Sequence, residues 1–217
     1  RATHRRIHEH PIIQSRYPGI VDLAGVIGDP QVRNWGTIGG SVAHADPASD
    51  WPALLIAGNA TIVCRSRTGD REIGARDFFI DTFQTAIEPT EVLVEVRLPR
   101  RAPHQGGAYT KLERKVGDFA TAGAAVVVRL AADGTIARAG IGLTAVAACP
   151  FAATDAEAIL AGQMPSEELF RRAGDAAGAQ ADPAGDIRGP VEYKRAMAAE
   201  LTVRSLRTAV ARALSFA

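Results

Sequence analysis

The sequence predicts an α+β fold in two parts that meet near residue 102. Strand-like segments are grouped in the middle of the chain and stretches with helical spacing dominate both ends, a grouping typical of α+β proteins. The stretch Pro99 to Gly107 carries two prolines and two glycines and is the best boundary. A length of 217 residues suits one large domain or two small ones, so we expect domains over 1–102 and 103–217.

The first part is predicted to begin with helices and to continue with strands. Tyr17 to Ile27 has apolar residues at helical spacing, and Gly28 is a natural stop. Asp50 is predicted to cap a second helix that runs to Gly58, with Pro52 in its first turn. The strand-like segments are Ala60 to Arg65, Arg71 to Gly74 and Glu91 to Leu98, with a turn at Thr68-Gly69-Asp70 and a short helix over Arg76 to Phe83.

The second part is predicted to hold three strands followed by helices. The strands are Ala108 to Arg114, Gly123 to Leu130 and Ile136 to Ala147. Asp133-Gly134 joins the last two as a hairpin, because this pair tolerates positive φ. The first helix is predicted to begin with a capping box of Thr154 and Glu157 and to end at Gly162. The second is capped by Ser166 and runs towards Ala177, and the third is a long amphipathic helix that begins at Pro190.

Composition excludes several classes of function. The 25 basic and 24 acidic residues are scattered, which leaves a net charge of +1 and no basic block, so we expect no nucleic-acid partner. No apolar run approaches the roughly 20 residues of a transmembrane helix, and there is no signal peptide. Cys64 and Cys149 stand apart in apolar surroundings, which fits a reducing, cytoplasmic setting and does not provide the four ligands of an iron–sulfur cluster.

Motifs for dinucleotide, metal and hydrolytic chemistry have simpler interpretations. The stretch 140–145 matches G-x-G-x-x-A, but it lies in a predicted hairpin strand with no helix after it, so we interpret it as a chance match. The histidines that could share a metal are His4, His8 and His10, and His44 with Asp46 forms an H-x-D pair. Nothing completes either ligand set, so we expect no metal site. No Ser/His/Asp set is present, and we assign no catalytic residue.

A glycine-rich loop, Asn34 to Asp50, is the most informative segment. Gly36, Gly39 and Gly40 are surrounded by small residues, so bare backbone N–H groups can approach an anionic or planar ligand. Asp50, at a predicted helix start, could accept hydrogen bonds from sugar hydroxyls. A sharp structural turn between two helices is the alternative explanation of the same glycines.

A second constellation follows the predicted domain boundary. Strand alternation puts Tyr109, Lys111 and Glu113 on one face, and an aromatic ring beside an ammonium group suits a planar, electron-rich ligand. An edge strand with a solvated run of charges explains the same residues equally well.

Together these segments resemble the medium, FAD-binding subunit of the molybdenum hydroxylases, the carbon monoxide dehydrogenase and xanthine dehydrogenase family. The matching phrases are Gly28-Asp29-Pro30-Gln31-Val32-Arg33-Asn34 leading into Thr37-Ile38-Gly39-Gly40 and His44-Ala45-Asp46-Pro47, then Arg114-Lys115-Val116-Gly117-Asp118-Phe119-Ala120, then Asp186-Ile187-Arg188-Gly189-Pro190. The resemblance covers essentially the whole chain. It implies the C-terminal part of a p-cresol methylhydroxylase-type FAD-binding domain, followed by a three-stranded antiparallel sheet with helices.

The resemblance also implies the cofactor and the residues that hold it. FAD would lie along Thr37, Ile38, Gly39, Gly40 and Ser41, in a motif that includes Asp46. Asp50 would contact ribityl or ribose hydroxyls, Leu93 would touch the isoalloxazine, and Tyr109 and Lys111 would lie near the ring. The family's first flavin loop is absent, and Arg1 is expected to begin just beyond it, at the edge of a fragment that binds FAD weakly or not at all.

In this family electrons leave the substrate at a molybdenum cofactor on a large subunit and pass through two [2Fe-2S] clusters on a small subunit. They then reach FAD on the medium subunit, which delivers them to an external acceptor such as a quinone, NAD or oxygen. The resemblance implies a dimer of heterotrimers in the cytoplasm, at the inner face of the membrane. Two alternatives stay open, a self-contained flavin oxidoreductase and a non-catalytic assembly fragment that binds no flavin.

Overall fold

Short helices make up the beginning of the computed structural model, which describes residues 1–216. They are α1 (His4–His8), α2 (Pro11–Arg16), α3 (Pro18–Val26), α4 (Pro30–Trp35), α5 (Ile38–His44) and α6 (Asp50–Ala57). The helix predicted over Tyr17 to Ile27 is confirmed by α3. The prediction that the glycine-rich segment is a loop throughout is wrong, because α5 lies in its middle. The Thr37 hydroxyl caps α5 by accepting a hydrogen bond from the Gly40 N–H at 3.1 Å.

Asp50 does not cap α6, contrary to the sequence prediction. The N-cap is Ser49, whose side chain makes no capping hydrogen bond. Asp50 is the first helical residue, and its carboxylate is bound instead by side chains from the second half of the chain. All eight residues of α6 are buried, so the helix lies between other layers rather than on the surface.

An antiparallel three-stranded sheet follows α6. Its region contains β1 (Thr61–Ser66), β2 (Gly69–Gly74), α7 (Ala75–Phe78), β3 (Phe79–Asp81), β4 (Gln84–Thr85) and β5 (Val92–Arg97). The strand order in the sheet is β2-β1-β5, which makes β5 an edge strand, while β3 and β4 form a separate small pair. The short helix predicted over Arg76 to Phe83 ends at Phe78, because the chain turns there into β3.

A second antiparallel sheet forms the layer under the remaining helices. It contains β6 (Gln105–Leu112), β7 (Ala122–Leu130), β8 (Ile136–Thr144) and β9 (Phe151–Ala152) in that order, followed by α8 (Thr154–Leu160), α9 (Glu167–Gln180) and α10 (Val191–Leu214). The three predicted strands are present, but the expected sheet of three gains the two-residue β9 as a fourth strand. Helices α9 and α10 cover one face, and α6 lies against the other.

Two glycines of β8 explain how α6 comes so close to this sheet. A Cβ atom at Gly140 would lie 2.0 Å from the Ala57 carbonyl oxygen, and one at Gly142 would lie 1.9 Å from the Ala53 carbonyl oxygen. Only glycine fits where the helix backbone rests directly on the strand. The G-x-G-x-x-A match therefore has a packing role, inside a strand.

The predicted capping box of Thr154 and Glu157 is wrong. Ala153 is the N-cap of α8, and Glu157 points away to form a bidentate pair with Arg76 at 2.6 and 2.9 Å. Glu157 also accepts the Ile141 N–H at 2.8 Å, so it ties α7, α8 and β8 together. The Ser166 cap of α9 is confirmed, with its hydroxyl 3.1 Å from the Leu169 nitrogen. Within residues 1–216 no helix is both long and apolar enough to cross a membrane.

Candidate functional site

A cleft of about 680 Å³ opens between the start of α5 and the edge strand β5. Thr37, Ile38, Gly39 and Gly40 form one side, and Leu93 of β5 faces them. The fold therefore brings together five of the residues that the sequence predicts for the cofactor. Apolar side chains dominate the rest of the lining: Ile7, Ile12, Ile13, Ile20, Trp51, Val94, Val96 and Leu98. The charged or titratable residues of the lining are Arg1, Arg6, His10 and Glu95.

The glycine at position 39 is not required by contacts within the chain, and the glycine at position 40 is close only to a side-chain oxygen. A Cβ atom on Gly39 would meet only Leu93 Cδ2 at 3.6 Å, an ordinary van der Waals distance. A Cβ atom on Gly40 would lie 3.1 Å from the Thr37 hydroxyl oxygen, so the hydroxyl that caps α5 would have to shift by a few tenths of an ångström. Glycine inside a helix costs about 0.5–1 kcal/mol relative to alanine. A planar or anionic group that comes close to the chain needs bare backbone of this kind beside an apolar cleft. FAD contains both kinds of group, a planar flavin ring and an anionic diphosphate, so the residues present fit this cofactor.

A smaller pocket of about 220 Å³ is lined by the next predicted residues along α5 and α6. Ser41, Asp50 and Lys111 line it, together with Ser49 and Trp51. The hydroxyl oxygens of Ser41 and Ser49 lie 2.7 Å apart, which fixes both side chains at the pocket wall. Trp51 lines this pocket and also the larger cleft, so both spaces reach this residue.

Asp50 is held by two side chains from β6. The Tyr109 hydroxyl donates to Asp50 Oδ1, and the Lys111 ammonium donates to Asp50 Oδ2 at 3.3 Å. Burial raises the pKa of Asp50, while the adjacent Lys111 charge and the Tyr109 hydrogen bond act in the opposite direction. Burial and the neighbouring Asp50 carboxylate hold the pKa of Tyr109 well above its usual range. Asp50 keeps unused lone pairs, so it can still accept hydrogen bonds from hydroxyl groups in the pocket.

The solvated-charge explanation of the Tyr109, Lys111 and Glu113 face is wrong. The strand β6 is at the edge of its sheet, but the Lys111 side chain is only 3% exposed and forms ion pairs with Asp50 and Glu113. The Tyr109 side chain is also buried, behind Asp50, and lies outside the residues that line either cavity. Its hydroxyl acts on Asp50 rather than on a cavity.

Asp46 lies away from both cavities. Its carboxylate accepts the Ala48 N–H at 2.8 Å, and its carbonyl accepts the Ser49 N–H at 2.9 Å. The preceding residue, Ala45, ends α5 in the left-handed conformation with φ 51°. Asp46 thus shapes the turn that carries Ser49 and Asp50 to the pocket wall.

Sequence reasoning missed the pair His4 and Trp51. The indole Nε1 of Trp51 donates to His4 Nδ1 at 2.9 Å, and the two rings stack with centroids 5.9 Å apart. Burial lowers the pKa of His4, in keeping with a neutral ring that accepts this bond. A buried histidine 47 residues from its partner leaves no local pattern in the sequence. Within residues 1–216 no three His, Cys, Asp or Glu side chains are placed to share a metal ion.

Comparisons with known proteins match both halves of the chain. Residues 1–101 match the family described as "FAD binding domain in molybdopterin dehydrogenase", and residues 107–209 match "CO dehydrogenase flavoprotein C-terminal domain". The carbon monoxide dehydrogenase medium chain of Hydrogenophaga pseudoflava is 45% identical over 93% of this chain and 70% of its own length. The chain belongs to the FAD-binding medium subunits of the molybdenum hydroxylases. This membership confirms the predicted family, the predicted cofactor FAD and an oxidoreductase subunit.

Other members of the medium-subunit family are similar over most of the chain. The glyceraldehyde dehydrogenase medium chain of Sulfolobus acidocaldarius is 33% identical over 93% of this chain and 71% of its own length. A solved carbon monoxide dehydrogenase from Hydrogenophaga pseudoflava superposes with a TM-score of 0.94 at 45% identity, covering 97% of this chain and 73% of that one. Quinoline 2-oxidoreductase from Pseudomonas putida 86 gives a TM-score of 0.88 at 31% identity, covering 98% and 73%. These likenesses confirm the predicted fold class.

Proposed function

We propose that this medium subunit carries FAD as an electron-transfer station, taking electrons from iron–sulfur clusters of a small partner subunit and passing them to an external acceptor. The substrate would react at a molybdenum cofactor on a large partner subunit. The observation that carries the proposal is the bare backbone of Gly39 and Gly40 at an apolar cleft, in a chain whose first half belongs to an FAD-binding family. Relatives named as medium chains support a multi-subunit assembly.

In this proposal the predicted residues from Thr37 to Ser41, together with Asp50 and Leu93, have distinct parts in holding the cofactor. The backbone of Thr37 to Gly40 lies against the diphosphate and the flavin, and Leu93 packs on the isoalloxazine from β5. Ser41 and Asp50 face the smaller pocket and accept or donate hydrogen bonds at cofactor hydroxyls. When bound, FAD would supply the redox chemistry itself, because a flavin carries its own reactivity and the protein supplies binding and orientation. The chain binds the ring, orients it and shields one side with apolar side chains.

The test is a comparison of the native complex with its deflavinated form. We expect the purified complex to contain iron, molybdenum and one FAD for each copy of this chain. Anaerobic substrate should bleach the flavin absorbance near 450 nm, and removal of FAD should abolish reduction of the physiological acceptor while iron–sulfur reduction persists. These assays report electron flow through the flavin, which residue substitutions alone do not.

The alternatives give different results in the same experiment. Bleaching of the flavin by substrate in this subunit alone would indicate a self-contained flavin oxidoreductase. A complex that contains this chain but no flavin would indicate an assembly module. Retention of acceptor reduction after deflavination would contradict the electron-transfer role.

A further inference from the structure

His4 is a buried histidine that the backbone holds beside the start of α5. Thr3 and Thr37 form an antiparallel bridge, and the His4 N–H donates to the Gly36 carbonyl oxygen at 3.0 Å. The imidazole lies against Gly36, where a Cβ atom would be 2.6 Å from His4 Nε2 and 2.8 Å from its Cδ2. Glycine at position 36 therefore makes room for this ring.

The hydrogen bond from Trp51 decides which ring nitrogen of His4 carries the proton. An indole N–H can only donate, so His4 Nδ1 accepts this bond and carries no hydrogen. In a neutral imidazole the proton is then on Nε2, which becomes a donor. Burial lowers the pKa of His4 and so favours the neutral ring. The fold thus presents one N–H group at a fixed position.

The chain itself offers this N–H group no acceptor. Among residues 1–216, the bond from Trp51 is the only hydrogen bond of the His4 side chain. His4 is only 5% exposed, but Nε2 is not among the side-chain atoms that are both sealed from solvent and unpaired, so it reaches the smaller pocket that His4 lines. Because buried polar groups are nearly always hydrogen-bonded, an unused donor at a pocket indicates that a bound group supplies the acceptor.

We propose that His4 is a cofactor-binding residue, whose Nε2–H donates a hydrogen bond to an oxygen atom of FAD in the smaller pocket. Trp51 is its positioning residue, because the indole keeps the proton on Nε2. A donor at His4 complements Asp50, which lines the same pocket as an acceptor. A hydroxyl group accepts and donates at once, so one FAD hydroxyl can satisfy both side chains. The proposal rests on the proposed function in one respect, that FAD oxygen atoms enter the smaller pocket.

Two variants separate the roles of the two ring nitrogens. In His4→Asn the short side chain places its amide near the position of Nδ1, so it can accept from Trp51 but does not reach the position of Nε2. In His4→Gln the longer side chain places its amide near the position of Nε2, so it can donate into the pocket but leaves the indole N–H without its acceptor. His8→Asn is the matched control, because His8 lies on the same helix, outside the lining of both cavities.

The experiment is an FAD titration of the full-length protein after removal of its flavin, followed by flavin fluorescence. We expect His4→Asn to raise the Kd about fivefold, which is about 1 kcal/mol for one lost hydrogen bond. His4→Gln should lower the Tm of the flavin-free protein, because Trp51 loses its acceptor, and yet bind FAD within about twofold of the wild type. His8→Asn should match the wild type in Kd.

Nitrogen NMR of the histidine rings reports the tautomer directly. In the flavin-free protein the His4 ring, assigned by its loss in His4→Gln, should show one tautomer with the hydrogen on Nε2. The Nε2–H resonance should move when FAD is added. In Trp51→Phe, which removes the indole N–H, the ring should populate both tautomers.

The outcomes separate this inference from the proposed function. An Asp50→Asn variant with unchanged Kd would contradict the role of Asp50 in the proposed function, whatever His4→Asn shows. Weakened binding in Asp50→Asn with wild-type affinity in His4→Asn would overturn the inference about His4 alone, as would equal weakening in His4→Asn and His8→Asn. A single tautomer retained in Trp51→Phe would overturn the positioning role of Trp51. Should His4→Asn fail to fold, as judged by circular dichroism, the wild-type NMR spectrum decides: an Nε2–H resonance that moves with FAD supports the inference, and one that stays fixed overturns it.

Discussion

Replacing Gly39 by alanine separates what the fold requires from what the cofactor requires. The added Cβ atom would lie 3.6 Å from Leu93 Cδ2, so it fits the chain without displacement. Because alanine is better than glycine inside a helix, the unfolding free energy of the flavin-free protein should rise by about 0.5–1 kcal/mol. For a chain of this size that raises Tm by roughly 1–4 °C.

The same methyl group occupies space that the proposal gives to FAD. An inserted methyl group in a well-packed contact costs about 1–3 kcal/mol, which is roughly a 5- to 150-fold increase in Kd. Thermal unfolding without FAD and fluorescence titration with FAD measure the two effects in one preparation. We therefore expect a variant that is more stable when empty and weaker in binding.

Gly25→Ala is the matched control. Gly25 lies within α3, away from both cavities that hold the predicted cofactor residues, and its Cβ atom would meet only His8 Nε2 at 3.5 Å and Cδ2 at 3.9 Å. It should gain similar stability and bind FAD as the wild type does. Wild-type affinity in Gly39→Ala would refute the argument that the backbone at position 39 touches the cofactor.

Three further predictions test the scaffold. Gly142→Ala should lower the unfolding free energy by about 1–3 kcal/mol, because its Cβ atom would clash with the backbone of α6. An unchanged midpoint of urea unfolding would contradict this, because it would show that α6 can shift away from β8 without loss of stability. Glu157→Gln should lower the unfolding free energy by about 1–3 kcal/mol, because it weakens the two hydrogen bonds from Arg76. Wild-type stability of an Arg76→Lys variant would contradict the importance of the bidentate geometry. Because burial lowers the pKa of His4, stability should be complete above its ordinary value of 6.5 and fall as pH drops below it. His4→Asn keeps an acceptor for the Trp51 indole and should reduce the dependence of the unfolding free energy on pH. Urea unfolding that shows the same pH dependence in the variant and the wild type would contradict this prediction.

Local patterns predict elements whose signals are local. The helix α3, the Ser166 cap and the strands β7 and β8 follow from spacing, caps and turn residues within a few positions of each other. The convergence of Gly39 and Leu93 came from the family resemblance, since no local pattern links two residues so far apart in the chain. Their placement across one cleft is a property of the fold that only coordinates show.

The two wrong cap predictions share a physical cause, which is capture of a side chain by a distant partner. Asp50 has the form of a helix cap, but Tyr109 and Lys111 lie 59 and 61 positions away and bind its carboxylate. Glu157 likewise leaves its capping box for Arg76, 81 positions away. A hydrogen bond to a charged group contributes about 1.5–3 kcal/mol and a helix cap about 0.5–2 kcal/mol, so a distant charged partner can outcompete a cap. A single sequence carries no sign of such a partner.

Because the backbone of α6 packs directly on β8, the halves of related subunits cannot be exchanged freely. Asp50 begins α6, and the helix is seated where Gly140 and Gly142 admit its carbonyl groups. A chimaera that joins residues 1–102 of this chain to the second half of a relative must keep glycine at both positions. Any larger residue there would lift the helix from the sheet and move the Asp50 carboxylate, so cofactor affinity would fall through a substitution in the other half of the protein.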